Sequence, residues 1–558
     1  MFGAHPMFRI GGAAGYQIPY SLRFRYSNNA SLSRTGVVSP TNDKVFTWSG
    51  WVKLGRSALT DLDYGILFSG YSASNDSGYA VIRIRNSTLY IGGWSTAWRE
   101  STALFRDPSA WYHMVVAVDT TNATAADRIK AYVNGSQLTS FGVNSAPSLN
   151  ATMGFNTAST TQRLGLDAPA SSAYHYDGYM AEVNFIDGQA LTPSSFGQTD
   201  ATTGVWVPKR YSGTYGTNGF YLKFNDATTT TTIGNDSSGN ANNWTTGGIS
   251  VTSGTTFDQM TDTPTLNYAV WSAIDKASVT VSEANMAAVS ATDVQAIRAT
   301  VAMPATGKWY WEVAVSALGY GTGLGIADNA SNLVTGASSA ATRTYQFGSW
   351  FNSFNSGTNQ FGTNQGITSG ANWTGASQPA ANDVIMVAVD MDNGSMWVGK
   401  NGTWFNSSGT ANPATNTDPR WTGLSGTTWF PYMAGYASAT PVTCRINFGQ
   451  RAFSYTPPSG FKALNTQNVT STAVTVSGSF TGNAAADGPF IWTNGNPATL
   501  TINGNGVTFG TDADKTAGGF KLRTSSASYN ASGTNNWTAT AGKRFVQARK
   551  PNNAQVNP

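Results

Sequence analysis

Cysteine is almost absent from this chain of 558 residues, in which Cys444 stands alone. An internal disulfide bond needs two cysteines, and a thiolate zinc site or an iron–sulfur cluster needs more. The sequence therefore excludes disulfide bonds within the chain and both kinds of cysteine-based metal centre. Non-covalent packing is left as the expected source of stability.

Charged residues are also scarce. They make up 11% of the chain, against about 25% in average proteins, and 33 basic groups nearly balance 29 acidic ones to give a net charge of +4. A charge so small and so widely spread is unsuited to neutralising phosphates, so we expect no nucleic-acid partner. The chain lacks a run of about eighteen apolar residues, and its first residues lack a basic leader with an apolar core. We therefore expect no membrane insertion and no secretory signal.

Aromatic residues and glycine, by contrast, are plentiful. The chain has 18 Trp, 23 Tyr and 27 Phe, and its 60 Gly and 21 Pro stand between short runs with alternating apolar residues. Gly and Pro at such spacing separate strands with turns. The composition therefore predicts an all-β protein, and the length is that of about three or four domains.

Changes of composition divide the chain into five regions. These are an N-terminal strand or anchor segment (1–44), a first β-sandwich (45–200), a connector (201–278), a second β-sandwich (279–465) and a small C-terminal β domain (466–558). Asn-Gly pairs at 134–135, 393–394 and 401–402 predict hairpin turns, because both residue types tolerate positive φ. A helical period occurs only at about Ser282 to Val294, where we predict a short helix.

One strand pattern in the first sandwich has two distinct faces. In YAVIRIR, Val81, Arg83 and Arg85 lie on one face of the predicted strand and Ile82 and Ile84 on the other, because side chains alternate along a strand. The pattern therefore predicts a strand with different side chains on its two faces.

Several motifs occur in a characteristic order. The first sandwich contains FTWSGWVKL, then WYHMVVAVD with RIKAYVNGSQL, and finally DGYMAEVNFIDGQALTPSSFG. In this order they resemble the laminin-G or concanavalin A-like lectin and glucanase superfamily. KWYWEV, GLGIA, NDVIMVAVDMDNGSMWVGKNGTWF and WFPYMAGY, between about 300 and 450, similarly resemble a SPRY domain. The resemblance implies tandem antiparallel β-sandwiches: a concanavalin A-like jelly roll followed by a SPRY-like sandwich.

The connector carries a third resemblance. GFYLKFND, IGNDSSGNANNWT and DTPTLNY are similar to the segment that joins such domains in bacteriophage tail-fibre and other virion proteins. The resemblance implies a virion appendage, made in the host cytoplasm, that contacts other virion proteins and binds a host-surface glycan or protein as a homotrimer. A purely structural virion component (fibre adaptor, collar or capsid decoration protein) and a polysaccharide depolymerase are the alternatives.

Patterns that would support catalysis are few. Glycoside hydrolysis needs two carboxylates facing one sugar, yet the four glutamates, Glu100, Glu182, Glu283 and Glu312, are scattered along the chain. We interpret Glu182 and Glu312 as strand carboxylates bound by backbone or arginine. His113 is interpreted as a buried strand histidine rather than a general base. We therefore expect no enzymatic activity.

Calcium is the one metal that the lectin-like resemblance implies, since such sandwiches hold calcium near one rim. The candidate ligands are Asp61, Asp63, Asp76 and Asp177. Calcium takes about six to eight oxygen ligands, and the chain has no D-x-[DN]-x-[DN]-G loop. The alternative that these aspartates cap turns therefore stays open. We expect no other cofactor.

Aromatic side chains in polar loops predict a binding surface. A tryptophan ring packs on the apolar face of a sugar while neighbouring polar groups bind its hydroxyls. The candidate ligand-binding residues are Trp94, Trp98, Trp350, Trp373, Trp404 and Trp421. Four other tryptophans lie in strand patterns and are predicted core residues: Trp48, Trp309, Trp311 and Trp397. Packing of the loop rings against a neighbouring domain or subunit is the alternative to sugar binding.

Overall fold

The computed structural model describes most of the chain up to residue 469 and nine short strand segments after it. The described ranges are 15–35, 38–55, 65–167, 174–201, 203–290, 295–317, 321–334, 344–348, 360–362, 380–405, 410–424, 427–436 and 441–469. They form β-strands, with one-turn 3-10 helices at Tyr26–Asn28, Ala125–Asp127, Pro193–Ser195, Thr232–Gly234 and Pro413–Thr415 and without an α-helix. The prediction of an all-β protein is therefore confirmed. None of these residues belongs to a helix long and apolar enough to cross a bilayer.

The first sandwich is built from the strands β1 (Ser21–Phe24), β2 (Ser31–Arg34), β3 (Val45–Leu54), β4 (Gly65–Tyr71), β5 (Tyr79–Arg85), β6 (Thr88–Gly93), β7 (Ala97–Ser101), β8 (Trp111–Asp119), β9 (Ile129–Val133), β10 (Ser136–Gln137), β11 (Phe141–Asn144), β12 (Thr161–Leu164), β13 (Gly178–Asp187), β14 (Gly197–Thr199), β15 (Trp206–Pro208), β16 (Phe220–Leu222), β17 (Thr245–Gly247) and β18 (Gln259–Met260). One sheet has the order β10-β9-β8-β3-β13-β1-β18, with β16 also paired to β13. The other has the order β11-β7-β6-β5-β4-β12-β2-β17, and β14 pairs with β15. All of these pairs are antiparallel.

Aromatic rings fill the space between these two sheets. Trp48 of β3 stacks on Phe68 of β4 with 6.5 Å between ring centroids, and Phe68 stacks on Phe155 at 5.3 Å. All three side chains are completely buried. Each large apolar side chain buried in this way stabilises the fold by about 1.5–3 kcal/mol. The aromatic core thus stabilises a sandwich that has no disulfide bond.

The segment predicted as a connector is part of the first sandwich. Its strands β16, β17 and β18 pair with β13, β2 and β1 respectively. The N-terminal segment also joins the sandwich, because β1 pairs with β13 and β2 pairs with β12. Residues 45–200 therefore do not form an independent sandwich, and the predicted boundaries at 44 and 201 are wrong. Within 45–200, β12 and β13 are edge strands, and strands from outside this range complete their hydrogen bonds.

The second pair of sheets is built from β19 (Trp271–Lys276), β20 (Val279–Ser282), β21 (Ala287–Ser290), β22 (Gln295–Ala299), β23 (Lys308–Ala317), β24 (Gly321–Asp328), β25 (Thr344–Gly348), β26 (Gln360–Gly362), β27 (Val384–Asp390), β28 (Ser395–Lys400), β29 (Thr403–Trp404), β30 (Trp429–Tyr436) and β31 (Val442–Asn447). Their orders are β19-β22-β30-β24-β25-β26 and β20-β21-β31-β23-β27-β28-β29. This pair begins at Trp271, before the predicted boundary at 279. The residues Gly15–Thr199 and Trp206–Asn468 form one compact unit, so both pairs of sheets belong to it.

A hairpin occupies residues 282–290, the described part of the stretch from Ser282 to Val294 in which a helix was predicted. β20 and β21 pair with each other, and β21 continues the ladder onto β31. The turn between them places Glu283, Ala284 and Asn285 at φ values of 55°, 58° and 61°, in the left-handed region that a right-handed helix does not use. The helical period is weak in this stretch, and pairing with β31 decides its structure.

All three predicted hairpins are present; positive φ occurs at both residues of 134–135 and 401–402, but only at Gly394 in the turn between β27 and β28. Asn134 and Gly135, with φ values of 51° and 82°, connect β9 to β10. A Cβ atom at Gly135 would lie 2.5 Å from the Trp206 ring, so this position needs glycine for space as well as for conformation. Asn401 and Gly402 connect β28 to β29 in the same left-handed conformation.

The residues from Val469 onward fall in a second unit. Its strands are β32 (Thr475–Ser477), β33 (Phe480–Thr481), β34 (Phe490–Ile491), β35 (Thr499–Ile502), β36 (Asn505–Thr508), β37 (Phe520–Arg523), β38 (Thr534–Asn535), β39 (Val546–Arg549) and β40 (Gln555–Val556). They pair in the orders β32-β35-β36, β33-β38 and β34-β37-β39-β40.

Candidate binding face of the first sandwich

The alternation along β5 gives the second sheet of the first sandwich two different faces. Ile82 and Ile84 belong to the core between the sheets, whereas Tyr79 and Val81 belong to a separate cluster on the opposite face. The predicted division of this strand is therefore confirmed. We call this opposite surface the tyrosine face; it consists of Ile66, Tyr71, Tyr79, Val81, Arg83, Arg85, Tyr90, Trp94, Arg163, Asp167 and Tyr174.

Trp94 stands at the rim of the tyrosine face, in the turn between β6 and β7. Its side chain is 48% exposed, the greatest exposure of any tryptophan in the described residues. Its ring contacts Tyr79 edge-on with 5.8 Å between centroids and lies 6.3 Å from the Tyr71 ring. Two tyrosines therefore support one side of the indole, and the rest of the ring is open to a ligand.

Asp76 fixes the turn that carries Trp94. Its Oδ1 accepts hydrogen bonds from the backbone N–H of Ser95 (2.8 Å) and of Thr96 (3.3 Å). Its Oδ2 accepts from the hydroxyls of the same two residues, at 3.2 and 2.5 Å. Burial raises the pKa of Asp76, but these hydrogen bonds outweigh it and hold the pKa below its usual value. Asp76 was predicted as a calcium ligand, and the structure assigns its carboxylate a positioning role beside a predicted binding residue.

Glycine is required where this turn begins. A Cβ atom at Gly93 would lie 2.6 Å from Asp76 Oδ1 and 2.9 Å from the Trp98 ring. A larger residue would therefore push the carboxylate away from Ser95 and Thr96. The sequence motif GGWSTAW thus encodes the turn as well as its tryptophans.

Cationic and anionic groups surround the tyrosines on this face. The guanidinium groups of Arg83 and Arg85 lie 4.5 and 5.3 Å from the centroid of the Tyr90 ring. The hydroxyl of Tyr79 donates to Asp167 Oδ1 at 2.8 Å, and burial together with this carboxylate raises the pKa of Tyr79. Cation–π contacts hold planar guanidinium groups in fixed positions. The face therefore has partly exposed guanidinium groups over buried tyrosines, with the exposed Trp94 ring at its rim.

Two other predicted binding residues are buried. Trp98 lies in β7 within the core between the sheets and is 3% exposed, because β7 turns it inward. Trp421 is 5% exposed and lies against β28, where its backbone bridges to Met396. The expectation that these rings lie in exposed loops is wrong. Polar residues stand next to Trp98 and Trp421 in the sequence. This local pattern did not indicate the strand pairing that buries the two rings.

The remaining predicted residues do not form a shared site in the described part of the chain. Trp404 is half-buried in β29, with its ring 6.4 Å from that of Tyr310. Asp177 is buried, and its Oδ1 accepts a hydrogen bond from the backbone N–H of Ala284 at 2.7 Å. The described residues include no cluster of three or more His, Cys, Asp or Glu side chains that could hold a metal ion. Four predicted residues lie outside the described residues: Asp61, Asp63, Trp350 and Trp373.

His113 forms a hydrogen-bonded arrangement that resembles part of a catalytic triad. Its Nε2 lies 2.9 Å from Ser49 Oγ, and Trp206 Nε1 donates to its Nδ1 at 3.0 Å. Because Nδ1 accepts from an indole, the proton of the neutral ring is on Nε2, which donates to Ser49. Burial lowers the pKa of His113 to about 3. In this tautomer the ring cannot take a proton from Ser49, and it serves instead as a buried link between two strands and Trp206.

The two strand glutamates have different partners. Glu312 accepts hydrogen bonds from the backbone N–H groups of Ser454 and Tyr455, both at 2.8 Å, as predicted for a carboxylate bound by backbone. Glu182 instead accepts from the hydroxyls of Tyr221 (2.6 Å) and Tyr16 (2.9 Å), and burial raises its pKa. Both tyrosines that donate to Glu182 are far from it in the sequence, so the sequence alone did not indicate these hydrogen bonds.

A protein-family model matches the region of the chain that contains the tyrosine face. Residues 26–195 match the Laminin_G_3 family model, described as the concanavalin A-like lectin/glucanases superfamily. No curated protein sequence matches the chain.

Among solved structures, the SPRY domain of human HERC1 is 12% identical, with a TM-score of 0.24 over 32% of this chain and 96% of that one. The heptameric SAP-like pentraxin from Limulus polyphemus is 16% identical, with a TM-score of 0.22 over 32% of this chain and 75% of that one. Domain 4 of AbnA, a GH43 extracellular arabinanase from Geobacillus stearothermophilus solved in complex with arabinotriose, is 21% identical, with a TM-score of 0.23 over 33% of this chain and 79% of that one. On the family match, the part of the chain that carries the tyrosine face has a concanavalin A-like lectin fold.

Proposed function

We propose that this chain is a bacteriophage virion appendage protein, of tail-fibre type, that binds a host-surface glycan through the tyrosine face. The observation that carries the binding proposal is Trp94, an exposed ring held by Asp76 and supported by Tyr71 and Tyr79. The virion assignment is supported by the order of lectin-like and SPRY-like motifs and by the connector motifs in the sequence.

The chemistry of the face favours a saccharide. The apolar face of a pyranose ring packs on an indole, and hydroxyl and charged groups placed around the ring bind the sugar hydroxyls. Arg83 and Arg85 lie four and six residues along β5 from Tyr79, on the same face of the sheet, where both pack on the Tyr90 ring. Because guanidinium groups pair with carboxylates, we propose an acidic host polysaccharide as the ligand class.

A glycan array with the full-length protein and the Trp94→Ala variant tests this proposal. We expect the wild type to bind acidic glycans and the variant to bind at least about tenfold more weakly, a loss of about 1.4 kcal/mol or more for an aromatic anchor. Leu149→Ala is the matched control, because Leu149 is 51% exposed in the same sandwich and lies outside the tyrosine face. Equal binding by all three proteins, or binding by none, would contradict the proposal.

The binding mode that we propose is multivalent and non-catalytic. Single lectin-like sites bind weakly, and several copies on one particle raise the overall affinity without any new contact. We therefore propose a homotrimer within an assembly of virion proteins. Native mass spectrometry of the full chain would show trimers, and an exclusively monomeric protein would contradict this part. Release of reducing sugar from host polysaccharide would favour the depolymerase alternative.

A further inference from the structure

Lys53 is a buried lysine on the face of β3 that points away from the aromatic core. Its side chain is completely buried, and its backbone pairs with Trp111 of β8 and Tyr179 of β13. The rings of these neighbours belong to an apolar cluster with Met260, and Lys53 Nζ lies 5.7 Å from the centroid of the Tyr179 ring. An amine in such surroundings has little access to water.

Lys53 Nζ is held between a carboxylate and a carboxamide. It donates to Asp262 Oδ2 and to Asn267 Oδ1, both at 2.7 Å, and to the backbone carbonyl of Tyr268 at 3.1 Å. The carbonyl carbon of the Asn267 side chain lies one bond, about 1.23 Å, beyond the oxygen that Nζ contacts. The amine is therefore in direct contact with the carboxamide whose carbon it would attack.

The two acceptors of Lys53 are themselves fixed. Trp111 Nε1 donates to Asp262 Oδ1 at 3.0 Å, and the Asn267 side-chain amide donates to the backbone carbonyl of Ser109 at 2.7 Å. The backbone N–H of Asn267 donates to Thr466 Oγ1 at 3.1 Å. The orientation of the carboxamide is thus set by contacts outside the lysine, with its nitrogen turned away from Nζ.

We propose that Lys53 and Asn267 become joined by an intramolecular amide bond, with Asp262 carrying the proton and ammonia released. The arrangement supplies a buried amine, a fixed amide carbon and a carboxyl group in contact with the amine, which is the set that such a reaction needs.

The protonation states favour this chemistry. Burial lowers the pKa of Lys53, although Asp262 opposes the effect, and burial raises the pKa of Asp262, although Lys53 opposes it. Both shifts favour transfer of a proton from the ammonium to the carboxylate. The neutral amine that results has a free electron pair and is a nucleophile.

The reaction balances without an oxidant or a co-reactant. The electron pair of Nζ forms a bond to the Asn267 carbonyl carbon, and the carbonyl pair moves onto Oδ1. Asp262 gives the proton that it took from the ammonium to Nδ2 and then accepts the second proton from Nζ. The bond between the carbon and Nδ2 breaks as the carbonyl re-forms, and Nδ2 leaves as ammonia. The products are one secondary amide and one ammonia molecule.

The bond would connect the first sandwich to the strand that enters the second pair of sheets. Lys53 lies in β3, and Asn267 lies just before β19, which begins at Trp271. A chain whose single cysteine is Cys444 would thereby gain a covalent cross-link that reducing conditions do not break.

Mass spectrometry of the full-length protein tests the proposal without any variant. We expect an intact mass about 17 Da below that of the sequence, the mass of one ammonia. Trypsin cannot cleave after an acylated lysine, so a digest should contain residues 45–56 cross-linked to residues 224–276. Lys308, which pairs with Asp390 and is 27% exposed, is an internal control that should be cleaved normally.

Three variants separate the roles of the residues. Lys53→Met and Asn267→Ala should each have the full sequence mass, and Asp262→Asn should be cross-linked slowly or not at all. A folded wild-type protein with the full sequence mass would overturn the proposal. So would a deficit of about 18 Da with the cross-link at Asp262, because that product forms with loss of water. Complete cross-linking of Asp262→Asn would overturn the role given to Asp262.

Discussion

At the scale of single residues, burial separates tryptophans that the sequence treats alike. Trp94 and Trp98 stand four positions apart in GGWSTAW, yet the first is 48% exposed and the second 3% exposed. The difference arises because Trp94 lies in a turn whose backbone is bound by Asp76, while Trp98 lies in a paired strand whose inward face is the core. Exposure, rather than residue type, decides which ring can contact a ligand.

Histidine burial makes the stability of the first sandwich dependent on pH. The pKa of His113 is lowered from 6.5 to about 3 by burial, and burial also lowers the pKa of His175. The unfolded chain therefore binds more protons than the folded one below pH 6.5, so stability falls as the pH falls through this range. Between pH 7 and 5 we expect a loss of about 2 kcal/mol from His113.

Chemical denaturation at pH 7, 6 and 5 measures this loss. The His113→Gln variant keeps an acceptor and a donor on its side chain and does not titrate in this range, so its stability should fall less than that of the wild type. The comparison of the variant with the wild type separates the His113 effect from that of the carboxyl groups, because both proteins have the same carboxyl groups. A variant with an unchanged pH dependence would show that His113 does not contribute.

At the scale of elements, the turn between β20 and β21 depends on a tertiary ion pair. Arg445 of β31 contacts both carboxylate oxygens of Glu283, and its Nε lies 3.0 and 2.9 Å from them. Burial raises the pKa of Glu283, but the hydrogen bonds and charge of Arg445 outweigh burial and lower it. The ion pair fixes a turn in which three successive non-glycine residues have positive φ. This strain is tolerated because β31 holds the turn.

Breaking this pair should destabilise the protein. We expect Glu283→Gln to lower the free energy of unfolding by about 3 kcal/mol, because the partly buried Arg445 then loses its counter-charge. Arg445→Met together with Glu283→Gln should recover part of the loss, since no uncompensated charge remains. Urea denaturation of the two variants and the wild type measures both effects. Equal stability of the single variant and the wild type would show that the turn does not need the ion pair.

At the scale of the whole molecule, the first sandwich extends beyond its family match in both directions. Arg23 and Arg25, near the N-terminal end of the described chain, both donate to Asp258 Oδ1, at 2.9 and 2.8 Å, and all three side chains are buried. Trp244, also buried, packs edge-on against Phe220 at 4.8 Å. These contacts join residues up to about 260 to the first sandwich.

Truncation at two positions tests this extent. A fragment of residues 1–200 lacks β16, β17 and β18 and exposes Lys53 and Trp111, so we expect it to aggregate or to unfold without cooperativity. A fragment of residues 1–270 keeps those strands and should unfold in a single transition. Size-exclusion chromatography and thermal unfolding compare the two. A stable, monomeric 1–200 fragment would contradict the assignment of β16–β18 to the sandwich.

Local patterns in the sequence determined the fold class, several turns and the two faces of β5. Alternation and the conformational freedom of Asn-Gly pairs act over a few residues, so Ile82, Arg83 and the turn at 134–135 could be assigned before folding. The tryptophans predicted as core residues, Trp48, Trp309, Trp311 and Trp397, are all at most 2% exposed, because each lies in a strand with a strong apolar pattern.

Only the tertiary structure decided which distant residues meet. The contacts of Lys53 with Asp262 and Asn267 and of Glu182 with Tyr221, and the membership of β16–β18 in the first sandwich, join residues that are up to 239 positions apart, as Ser21 and Met260 are. Such contacts depend on strand order and register, which a one-residue shift would change completely and which no local pattern specifies. The proposed cross-link depends on such long-range contacts, whereas Trp94 and its supports Tyr71, Asp76 and Tyr79 lie near one another in the sequence.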